Sequence, residues 1–196
     1  MSLRVRFDAL RYDLEDWLDE RNDFVARGLL LGYLAYGFVR HLADPLYRTW
    51  FGGITLAFHE MGHIVFIPFG RTMTIAGGSI MQLLVPIAAA LYLLKKQRDW
   101  FGFVVGMSWL SFSMFELATY IGDASREELP LVSFGGGYHH DWSMLLTQWH
   151  LLNDCGAIAF GVRIVAGAVG VGALALGGYS VVRIARRRLA RLGRRG

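Results

Sequence analysis

Apolar residues in this chain fall into long runs separated by short charged turns. At the start the pattern is different: Phe7, Leu10, Leu14, Trp17 and Leu18 recur at helical spacing with charges between them. That predicts an amphipathic helix lying along a membrane surface or against the protein's own flank. Continuous apolar runs then predict spans over about 28–43, 50–69, 75–94, 100–122 and 164–182, near the roughly 20 residues that a crossing helix needs. The intervening stretch 142–160 is apolar but carries Gln148, His150, Asn153 and Asp154, and reads as a re-entrant or surface helix. The expected fold is all-α, a polytopic membrane helix bundle of about five transmembrane helices. It divides into a surface helix (1–27), a membrane-embedded domain (28–182) and a basic tail (183–196).

Composition agrees with a membrane class. Of 196 residues 54% are hydrophobic, and the mean hydropathy of +0.37 is high for a soluble domain. The single cysteine, Cys155, excludes an intramolecular disulfide and a cysteine zinc site, and reads as a small buried filler. The first residues lack the apolar stretch of a cleavable signal peptide, so the spans themselves are expected to direct insertion.

Charge sets an expected orientation. From Arg183 onward there are seven arginines and no acid, directly after an apolar span. This favours a cytoplasmic anchor touching anionic lipid headgroups over a nucleic-acid-binding arm. The turn of Lys95, Lys96 and Arg98 is expected on the same side. If 123–160 makes no net crossing, five spans put the Arg40–Arg48 turn in the cytoplasm and the N-terminal helix outside. That helix holds four arginines and seven acids up to Asp23, which disfavours tight binding to anionic lipid.

The chemistry centres on HEMGH, His59 to His63, inside the second run. Histidines four apart on a helix share a face and can grip one metal ion, while Glu60 between them can reach a water on that metal. Ionisable groups at mid-membrane cost about 2.5–3.5 kcal/mol each on insertion scales, so three together call for a metal or an internal cavity.

FHEMGH (Phe58–His63) within an apolar span, followed by the glycine-containing stretch IAGGSIMQLLVP (Ile75–Pro86), resembles the site-2 protease family of intramembrane zinc metalloproteases. The resemblance covers about 52–86. It implies His59 and His63 as ligands of one Zn2+ ion, Glu60 as general base, and cleavage of peptide bonds in or near the membrane. An unwound transmembrane peptide substrate would then reach the zinc, with Ile75–Gln82 as a candidate edge for it. The family's third ligand, an aspartate in an Asn-Pro…Leu-Asp-Gly motif, has no counterpart here; LLNDCG, with Asp154, is the nearest sequence.

A catalytic zinc takes three protein ligands and keeps one position open. The leading source of the third is YHHDW, Tyr138–Trp142, after three glycines able to fold back closely. His140 is slightly favoured as ligand, with Asp141 as N-cap of a helix from Trp142, partner of a ligand, or ligand itself; His139 is expected to face solvent. Glu116, Asp123, Gln82 and Asp154 are candidates to line the cavity or orient ligands. Three other classes fit less of the pattern: a zinc hydrolase or amidase acting on a lipid or small molecule, a histidine-rich di-iron lipid oxidase, and a non-catalytic membrane protein with a structural metal site.

Overall fold

The computed structural model describes residues 3–21, 23–130 and 140–193, and among them all regular structure is helical. In chain order the helices are α1 (Leu3–Asp19), α2 (Phe24–Ala43), α3 (Phe51–Val65), α4 (Arg71–Lys95), α5 (Trp100–Asp123), α6 (Asp141–Gln148) and α7 (Cys155–Gly193). Among the described residues three stretches are long and apolar enough to cross a membrane: α4, α5 and Leu152–Gly193, which is α7 with its leading 3-10 turn. The protein therefore has the make-up of a membrane protein.

The helices follow the apolar runs, and local chemistry ends them. Asp99 caps α5 by accepting from the Phe101 amide at 3.1 Å. The run expected as one span over 50–69 is broken: α3 stops at Val65, a 3-10 turn covers Ile67–Phe69, and Gly70 turns the chain at φ +89°. A positive φ of that size suits glycine, which has no Cβ to clash. The expected surface segment 142–160 divides into the short α6 and the first turns of α7. The last span is longer than expected, since α7 continues unbroken through the arginines to Gly193.

α5 is the central rod. α7 packs antiparallel to it: Cys155 lies against the Gly122 carbonyl, Ser111 Oγ donates to the Ala166 carbonyl at 2.8 Å, and Ile184 packs with Trp100 and Phe101. α4 is antiparallel to α5 on another side, where Gln82 Nε2 donates to the Ser113 carbonyl at 2.9 Å. α2 runs parallel to α5, from Arg27 beside Asp99 (3.7 Å) to Pro45, whose carbonyl accepts from Thr119 at 3.0 Å.

α1 docks at the end where α5 begins. Its Trp17 and Leu18 are buried against Trp100, Phe101 and Ile184. Its acids meet bases from three segments. Asp13 accepts from Arg98 and Trp100, and Glu15 accepts from Tyr179 (2.8 Å), Arg183 and Arg187. The bonds from Tyr179 and then Arg183 hold Glu15 below its ordinary carboxylate value. This basic end gathers α1, the α4–α5 turn and the last turns of α7.

The N-terminal helix thus lies at the same end as the arginine tail, a correction to the opposite placement expected from five spans. The reason is α3. Thr55 meets Ser113 at 3.3 Å, Phe51 stacks on Trp109, and the His59 ring meets Tyr120. α3 therefore starts about halfway along α5 and ends near its far end, without traversing the bundle. Its 15 residues span about 22 Å, short of the roughly 30 Å hydrocarbon layer.

Candidate metal centre

α3 and α4 cross where both lack side chains. A Cβ on Gly62 would lie 2.2 Å from the Gly77 carbonyl oxygen, so this close approach requires glycine. The stretch Ile75–Gln82, expected as a candidate edge for a peptide, is helical and lies within α4. It offers helix backbone rather than an extended edge to a peptide. The contact brings the last turns of α3, with His59 and His63, directly over Gly78 and Gln82.

Hydrogen bonds fix both imidazoles. Gln82 Nε2 must donate to the Ser113 carbonyl, so its Oε1 is turned to His59 Nδ1 at 3.0 Å and accepts from it. His63 Nδ1 donates to the Thr74 carbonyl at 2.8 Å. Each ring thus donates from Nδ1 and directs its Nε2 into the same space. A Cβ on Gly78 would be 2.6 Å from His59 Nε2 and 2.7 Å from His63 Nε2. Such ties to the second ring nitrogen are how ligating histidines are oriented.

The third group is Asp141, the first residue of α6. Its Oδ2 lies 3.1 Å from His59 Nε2 and 3.3 Å from His63 Nε2. One ligand atom from each of His59, His63 and Asp141 fits within 4.8 Å of the others. Two lone pairs and a carboxylate at this separation are satisfied only by a cation, either a proton on a ring or a metal. Burial alone would raise the Asp141 carboxyl, but the two histidines outweigh it and hold it below the ordinary carboxylate range. Two nitrogens and one oxygen on a partly buried wall suit a zinc ion with an open position.

His140 is placed otherwise. It is the N-cap of α6, its Nδ1 accepting from the Ser143 amide at 3.2 Å, and its Nε2 faces Asp123 Oδ2 at 3.5 Å. Burial holds this imidazole below its ordinary value, keeping it neutral. The roles weighed for the two neighbours are thus distributed the other way: the histidine caps and the aspartate meets the HEMGH pair. Asp123 also accepts from the Glu128 and Leu129 amides, at 3.1 and 3.0 Å, pinning the turn after α5.

Glu60 is half-buried, with its carboxylate within electrostatic reach of His63 and Tyr120. Glu116 lies away from the cluster: its Oε1 is 3.3 Å from where a Cβ on Gly52 would stand, with Arg48 nearby. Asp154 is exposed in the 3-10 turn before α7 and is not part of the cluster. His139 and the three glycines before Tyr138 lie outside the described residues.

The side chains that hold α6 in place were given no site role from the sequence. The Tyr120 hydroxyl accepts from the Asp141 amide at 3.0 Å, and its ring packs on His140 with centroids 4.3 Å apart. Trp142 Nε1 donates to Ser79 Oγ at 3.0 Å, and Gln148 Nε2 donates to Thr72 Oγ1 at 3.0 Å. Tyr120 ties the start of α6 to α5, and the other two pairs hold α6 along α4. An aromatic near the end of a span and a serine beside two glycines carry no signal that distinguishes them from ordinary packing. Compared with protein-family models, with curated proteins and with solved structures, the chain matches none of them.

Proposed function

We propose that this protein is a membrane-embedded zinc metallohydrolase that cleaves peptide bonds in or near the membrane. The observation that carries the reading is the convergence of His59 Nε2, His63 Nε2 and the Asp141 carboxylate, with Gln82 and the Thr74 carbonyl fixing the ring protons. The FHEMGH resemblance to the site-2 proteases supports it, and Asp141 takes the place of the aspartate that the family carries on a later span. Bound to these three residues, zinc supplies Lewis acidity toward a carbonyl and brings the pKa of a water to about 7.

Glu60 follows the first ligand by one residue and lies within electrostatic reach of His63, which supports it as the proton carrier. It takes a proton from the attacking water as the water oxygen bonds to the carbonyl carbon. It returns the proton to the amide nitrogen as the C–N bond breaks. His59 and His63 would take no part in the proton transfer, since zinc would occupy each Nε2 lone pair and Gln82 and the Thr74 carbonyl engage each Nδ1–H.

The test is metal analysis of the purified protein together with a Glu60→Gln variant. Stoichiometric zinc in both proteins, with peptide hydrolysis reduced about 10²–10⁴-fold in the variant, supports the reading. Iron in place of zinc, no metal, or undiminished hydrolysis in the variant overturns it.

A further inference from the structure

The cluster does not sit at the middle of the bundle. Tyr120, which holds Asp141, is three residues from the end of α5 at Asp123 and twenty from its start at Trp100. Along the helix axis that is about 5 Å from one end and about 30 Å from the other. The cations are distributed oppositely. The stretch from α1 to the start of α2, the α4–α5 turn and the last turns of α7 carry thirteen of the chain's twenty Lys and Arg residues. All three segments lie at the basic end. α2, α4, α5 and α7 each run between the two ends, whereas α3 does not, so an even number of traverses returns the chain to the end where it began.

Segments rich in Lys and Arg are retained on the cytoplasmic side of a membrane. We propose that the metal site opens on the opposite, non-cytoplasmic face. Its substrates are then polypeptides anchored in the same membrane, with the scissile bond in the interfacial zone of the outer leaflet. This rests on the hydrolase reading above. The surroundings of the site fit such a substrate. On one side Ser125, Arg126, Glu127 and Glu128 form an exposed polar turn. On another, Ile64, Ile67 and Phe69 are more than half exposed around the α3–α4 turn, an apolar wall facing lipid. An anchor helix in the lipid followed by a polar extended segment would meet both.

The inference is tested on the full-length protein in membranes, in a Cys155→Ser background. Arg126→Cys and Lys96→Cys are exposed to a membrane-impermeant maleimide, before and after lysis of the cells. Labelling of Arg126→Cys in intact cells, with Lys96→Cys labelled only after lysis, is the expected result. The reverse pattern, or both positions labelled from one side, overturns the orientation whether or not the protein hydrolyses anything. A pair of single-span reporters, with a cleavable segment on the outer or the cytoplasmic side of the anchor, tests the substrate. Cutting of the outer reporter alone is expected, and cutting of the cytoplasmic one overturns the assignment. Expected labelling with neither reporter cut, even when zinc is bound, instead overturns the peptide-hydrolase reading and its substrate with it.

Discussion

His140 and Asp141 are adjacent, yet one residue of helix start separates their roles. With α6 beginning at Asp141, His140 takes the capping position, and the Asp141 side chain projects about 100° further round, toward α3. Asp141→Asn is therefore expected to abolish zinc binding, whereas His140→Ala should keep zinc while loosening α6. Zinc content after gel filtration separates the two. Gln82→Met should leave the ligands in place but free the His59 ring, weakening metal affinity about 10–100-fold in competition with a chelating dye. The histidine pair was legible because its four-residue spacing belongs to a single helix. The third group was not, because it comes from another element, and a boundary uncertain by one residue exchanges the candidate ligand for the cap.

Among the elements, runs of apolar residues gave α4 and α5 to within a few residues, since burial in lipid and helix length leave the same mark on a sequence. α3 was misjudged as a span for the same reason: hydropathy records how long a run is, not how deep it starts or where Gly70 reverses it. Nor does spacing reveal that Gly77 and Gly78 lie inside a helix instead of in a turn. Gly62 and Gly78, on the two sides of the α3–α4 crossing, answer differently to substitution. Gly62→Ala, facing the Gly77 carbonyl, should force α3 from α4 and cost about 1–3 kcal/mol, read as a lower unfolding midpoint in detergent. Gly78→Ala places its methyl among the ring nitrogens and is expected to eliminate zinc binding without altering any ligand.

For the whole molecule, the acidic N-terminal helix makes sense once it is seen to lie on the arginines. Glu15 sits among Tyr179, Arg183 and Arg187, and Asp13 beside Arg98, so α1 clamps α7 to the α4–α5 turn. Exposed ion pairs are individually worth about 0–1 kcal/mol, but this one is a network over a buried Trp17 and Leu18. Glu15→Arg should release α1, detected as faster proteolysis between α1 and α2, with zinc content unchanged because the proposed metal site lies at the other end.

His59 and Asp141 are 82 residues apart in the chain, and α4 and α5 lie between them. An ion held by both is a removable staple across more than a third of the chain. Because the ligands meet only in the folded chain, the ion would bind that state and not the unfolded one. At a free zinc concentration 100 times its dissociation constant, the staple would add about 2.7 kcal/mol to the folded state. Chelation should accordingly lower the thermal midpoint of the native protein by several degrees and leave that of Asp141→Asn where it was.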